Sequence, residues 1–89
     1  MGKKIETLAW ENLLNNSRGV LAENVRELRS KRNLSQERLA LEAGVDRTLV
    51  SKIERGVANP SLQVLSKICV ILGVPISHLF NEGHARSSG

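Results

Sequence analysis

Apolar residues recur along most of the chain at helical spacing. Leu21, Val25 and Leu28 stand at i, i+4 and i+7, one stripe of a first helix over about 21–32. Asn33 tolerates a left-handed stop. Ser35 reads as the N-cap of a second helix, whose inward face is Leu39, Ala40 and Ala43. Gly44 takes positive φ cheaply and ends it. Val45 and Asp46 alone intervene before a third helix. Asp46 caps that helix, Val50 and Ile53 face inward, and Gly56 stops it. Asn59-Pro60-Ser61 is a turn, and Ser61 caps a fourth helix bearing Leu62, Leu65, Ile68, Cys69 and Leu72. Gly73 ends the fourth helix, and Pro75 opens a short fifth with Ile76, Leu79 and Phe80. No strand-like alternation and no internal repeat appear, so the fold class is all-α.

The two ends read differently. Ile5, Leu8, Leu13 and Leu14 fall at roughly helical spacing with Trp10 between them. Asn15-Asn16-Ser17-Arg18-Gly19 then breaks the pattern. Residues 1–19 are therefore expected to be an N-terminal extension, either a short extra helix or a tail. Residues 20–81 form the helical domain. Residues 82–89 are expected to be a mobile tail, since no apolar period reaches them.

Composition narrows the function classes. The chain has 89 residues, room for one small domain. Thirteen Lys and Arg against nine Asp and Glu give a net charge of +4, which favours a polyanionic partner. The only aromatics, Trp10 and Phe80, are too few for a platform that stacks single-stranded bases. A lone Cys69 excludes an intramolecular disulfide and a multi-cysteine zinc site. Its place on the apolar stripe of the fourth helix suits an inert buried thiol. His78 and His84 lie near the C-terminus, away from any Cys or Asp pair, so no catalytic constellation forms. No enzyme activity, cofactor or small-molecule substrate is expected. No apolar run approaches the ~18–20 residues that span a bilayer, no secretory signal is visible, and a cytoplasmic setting is the expectation.

The short turn Ala43-Gly44-Val45-Asp46 forces two helices to cross steeply, as a helix-turn-helix requires. The segments Leu34-Ser35-Gln36-Glu37-Arg38-Leu39-Ala40, Ala43-Gly44-Val45, Ile53-Glu54-Arg55-Gly56, Asn59-Pro60-Ser61-Leu62 and Leu72-Gly73-Val74 occur in that order. Together they resemble the Cro/C1-type helix-turn-helix family, also called xenobiotic-response-element or lambda-repressor-like, over roughly residues 21–80. The resemblance implies a compact five-helix DNA-binding domain acting in transcription, as a repressor or another regulator. Asp46-Arg47-Thr48, with the later motifs, also looks like the controller proteins of restriction–modification systems. A rival from another class is an antitoxin-like module that binds DNA together with a partner protein, with residues 1–19 as the partner-binding segment.

On a helical wheel Arg47, Thr48, Ser51, Lys52 and Arg55 share an arc of about 140°, opposite Val50 and Ile53. Arg and Lys suit the guanine edge, while Ser and Thr suit several bases. Arg47, Thr48, Ser51 and Lys52 are therefore the candidate base contacts, placed in the early part of a recognition helix. The resemblance assigns Gln36, Arg55 and Asn59 to backbone phosphate, and Arg38 is added for its charge and position. Val57 and Ala58 are uncharged where members of the family often carry Lys or Arg, which weakens the expected clamp. Lys31 and Arg32 supply diffuse attraction. Leu49 falls between the two faces, suited to core packing or to a thymine methyl. The resemblance also implies an ion pair between Arg29 and Glu54.

One recognition helix reads too few base pairs to find its site in a genome, so a homodimer on a palindromic, two-fold-related duplex is expected. Ile76, Leu79 and Phe80 are the candidate dimer surface, and Trp10, Leu13 and Leu14 its rival.

Overall fold

The computed structural model describes residues 2–82, with side chains described from residue 9 onward. Four α-helices and a closing turn account for the domain: α1 (Gly2–Lys31), α2 (Gln36–Ala43), α3 (Arg47–Glu54), α4 (Leu62–Leu72) and a 3-10 turn (Ile76–Phe80). No strand occurs among the described residues.

The caps read from the sequence set the boundaries. Asn33 holds φ 57 just past α1. The Ser35 hydroxyl accepts from the Arg38 amide, the Asp46 carboxylate from the Thr48 amide, and the Ser61 hydroxyl from the Val64 amide. Each bond satisfies one donor that the first helical turn leaves orphaned. Gly44, at φ 71, donates to the Ala40 and Leu41 carbonyls and turns the chain from α2 toward α3. At Gly73, φ 74 is coupled to a close approach, because a Cβ there would run into the Arg32 guanidinium.

One expectation is corrected. The break at Asn15-Asn16-Ser17-Arg18-Gly19 does not occur. α1 is one helix of 30 residues running straight through it. Extending a helix from an existing nucleus is far cheaper than starting one, so poor formers are carried along. The short fifth helix expected after Pro75 is present, as a 3-10 helix of five residues. The C-terminal tail expected over 82–89 lies, beyond Glu82, outside the described residues, as does His84.

The core is a single cluster. Val25 of α1, Leu39 of α2, Val50 and Ile53 of α3, Ile68 of α4 and Leu79 of the 3-10 turn are all fully buried. α1 packs on α3 and on the 3-10 turn, while α2 packs on α3 and α4. The buried Asn24 amide of α1 donates to the carbonyls of Leu79 (2.9 Å) and Asn81 (3.2 Å), which fastens the end of the domain to the long helix. No described helix is long and apolar enough to cross a membrane.

Candidate nucleic-acid interface

α3 is eight residues long and divides cleanly into two faces. Val50, Ile53 and Glu54 are buried, whereas Arg47, Thr48 and Lys52 are exposed and Ser51 is half-buried. Arg47, Thr48 and Ser51 line a shallow depression of about 180 Å³ on the outer side. Their donors meet solvent at the N-terminal half of the helix, where the positive end of the dipole also lies. Leu49 is half-buried and packs on the core.

The inner side of α3 is held by a polar network centred on Glu54, which is only 4% exposed. Arg29 grips its carboxylate through Nε (2.6 Å to Oε2) and Nη2 (2.9 Å to Oε1). Gln36 Nε2 donates to the same Oε1 at 3.0 Å. Arg26 Nη2 donates to the Glu54 backbone carbonyl at 2.7 Å. Burial pushes the Glu54 carboxyl upward, but the bonds from Arg29 and Gln36 outweigh it and hold the group below the usual carboxylate range. No buried side-chain polar atom among the described residues lacks a partner.

Gln36 is half-buried at the start of α2, with its amide turned onto Glu54. Arg38 is exposed and donates to Glu42 Oε2 at 2.7 Å, one turn later on α2. Arg55 and Asn59 are exposed on the loop after α3. Leu79 is corrected as a surface residue. It is fully buried, because the 3-10 turn that closes the domain points it into the core beneath the Asn24 bond, and it offers nothing to a partner. Phe80 is 40% exposed and Ile76 half-buried. Trp10 and Leu13, at 54% and 66% exposed, stand on the part of α1 that precedes the domain.

Two residues that brace α3 and the loop after it escaped the sequence reading. Arg18 Nε donates to the Ala58 carbonyl at 3.1 Å, and Arg26 closes the end of α3. Once α1 is continuous, Arg18, Arg26 and Arg29 fall within about 80° of one another, one basic stripe facing α3. The break expected before residue 20 concealed that periodicity. Among the described residues, no three of His, Cys, Asp and Glu converge as metal ligands.

Comparison with known proteins agrees with this geometry. The helix-turn-helix family model matches residues 25–79. Control protein C.BamHI of Bacillus amyloliquefaciens is 48% identical over 63 residues, covering 70% of this chain and 78% of that protein. The crystal structure of the restriction–modification controller protein C.AhdI from Aeromonas hydrophila superposes with a TM-score of 0.68 at 38% identity, covering 71% of this chain and 96% of that one. The N-terminal DNA-binding domain of SinR from Bacillus subtilis gives a TM-score of 0.70 at 33% identity, covering 74% and 97%. The chain spans only 60% of full-length SinR. These relatives are regulators and control proteins, not enzymes. On the match over residues 25–79 and on its fold, the chain belongs to the Cro/C1-type helix-turn-helix family.

Proposed function

We propose that this protein is a sequence-specific regulator of transcription that binds double-stranded DNA as a homodimer, with α3 in the major groove of each half-site. The observation that carries the reading is the two-faced α3. Its inner side is fixed by Val50, Ile53 and the Glu54 network, so Arg47, Thr48, Ser51 and Lys52 project outward from a helix held in place. The backbone of a preformed helix need not be ordered on binding, which leaves only the side chains to be fixed. Gln36, Arg38, Arg55 and Asn59 flank that row and are assigned to phosphate, which sets affinity without carrying sequence information. For Gln36, one amide hydrogen is engaged by Glu54 and the other remains for the backbone. The likeness to C.BamHI and C.AhdI favours a controller role beside a restriction–modification system.

For the dimer, the proposed surface is Phe80 with Ile76, and the exposed Trp10 and Leu13 on α1 are its rival. Selection of bound duplexes from a random pool tests the reading directly. A two-fold-related consensus is expected. A pool that returns no preferred sequence rejects it. Analytical ultracentrifugation of wild type and Phe80→Asp then places the interface. A dimer that persists in Phe80→Asp but is lost in Trp10→Asp/Leu13→Asp moves the contact to α1.

A further inference from the structure

The loop at residues 55–61 carries Arg55 and Asn59, both exposed and both assigned above to phosphate. A loop that contacts a polyanion through exposed side chains loses affinity when its backbone must be ordered at the moment of binding. Here α1 holds the loop at two points. Arg26 bonds the Glu54 carbonyl, at the last residue of α3. Arg18 Nε bonds the Ala58 carbonyl at 3.1 Å, immediately before Asn59. The backbones are also close, because the Arg18 carbonyl lies 3.8 Å from where a Cβ on Gly56 would stand. Arg18 itself is half-buried, and its Nη1 reaches Asn15 Oδ1 at 3.4 Å one turn earlier on α1. Ala58 is only 7% exposed, so its carbonyl has little access to water and Arg18 supplies its donor.

We propose that Arg18 is a positioning residue for DNA binding: it fixes the loop so that Arg55 and Asn59 meet the phosphate backbone already ordered, without touching DNA itself. The inference rests on the DNA-binding reading above. It makes the segment before residue 20 part of the DNA-binding apparatus, since α1 must be helical through Arg18 for the guanidinium to reach Ala58.

A double-mutant cycle in the full chain tests this. Affinity for the selected operator and for random duplex is measured over a salt series for wild type, Arg18→Ala, the loop variant Arg55→Ala/Asn59→Ala, and the combination. Arg18→Met, which retains the aliphatic stem, replaces Arg18→Ala should the latter not fold. Loss of Arg18 should weaken both duplexes roughly 2- to 10-fold, the scale of one hydrogen bond, without changing base preference. In the loop variant the same change should cost less than about 2-fold, because the contacts it serves are already gone. The salt slope should fall by less than the ~0.9 of a lost phosphate contact. Equal losses in both backgrounds, a slope falling by a full contact, or a lowered melting temperature with unchanged affinity each overturn the proposal. If the loop variant binds like wild type, the phosphate assignment of Arg55 and Asn59 fails and the proposal falls with it, whereas loss of all duplex preference in the wild type would instead sink the DNA-binding reading on which it rests.

Discussion

Arg29 and Glu54 meet in a two-pronged ion pair, 2.6 Å and 2.9 Å between heavy atoms, with the carboxylate almost wholly enclosed. A third Arg29 donor, Nη1, reaches the Leu34 carbonyl at 2.7 Å. One guanidinium thus joins α1, the α1–α2 loop and the recognition helix. Glu54→Gln strands that cation in a site built for an anion, and the expected loss is ~3–5 kcal/mol of folding stability. Urea unfolding measures it. A loss below about 1 kcal/mol, the range of an exposed pair, would contradict the account.

The same pair sets an acid limit. The Glu54 carboxyl titrates below its usual range in the folded chain, so folding binds fewer protons than unfolding does. Its contribution is complete above the ordinary carboxylate pKa of ~4.3 and is lost as pH falls through the lower folded value. Denaturation midpoints between pH 6 and 3 should decline for wild type. In Glu54→Gln, this part of the decline should be missing.

Gly19 lies within α1, is exposed, and has open space where a Cβ would stand. Gly19→Ala should therefore stabilise the protein by ~0.5–1 kcal/mol, the helix-interior difference between the two residues. A thermal midpoint that falls instead would show that the chain leaves the helix at this residue.

Arg47→Ala and Lys52→Ala should relax base preference, each removing ~1–3 kcal/mol from the best site where a bidentate contact is lost. Arg38→Ala should weaken all duplexes alike and flatten the salt dependence. Its pair with Glu42 is exposed, so folding stability should change by less than about 1 kcal/mol. Competition between operator and random DNA separates the two behaviours.

Cys69 is buried, and burial pushes its thiol above the ordinary value. Reaction with iodoacetamide at neutral pH should be slow in the native protein and rapid in denaturant, because the nucleophile is the thiolate. Rapid native alkylation would place the thiol at the surface.

Much of this protein is written in local sequence. Caps at Ser35, Asp46 and Ser61 and the left-handed stops at Asn33, Gly44 and Gly73 act within a few residues of themselves, so α2, α3 and α4 were legible with most of their inward faces; Leu62, read as part of the inward face of α4, is instead 71% exposed in its first turn. The two faces of α3 were legible for the same reason, since a helical period fixes which side chains share a side. Other features depend on residues far apart in the chain. Asn15, Asn16, Ser17 and Gly19 are poor helix formers, yet α1 continues through them, joined to the packed turns that follow and braced by Arg18 on Ala58, 40 residues away. Leu79 looked like spare apolar surface until the Asn24 amide, 55 residues earlier, drew its backbone onto α1 and its side chain into the core. The resemblance assigns Gln36 to phosphate, but nothing near it in the chain foretells that Glu54, 18 residues on, lies close enough in space to engage its amide. Propensity and periodicity act over one or two turns of helix, whereas a hydrogen bond between distant residues forms only after the chain has folded back on itself.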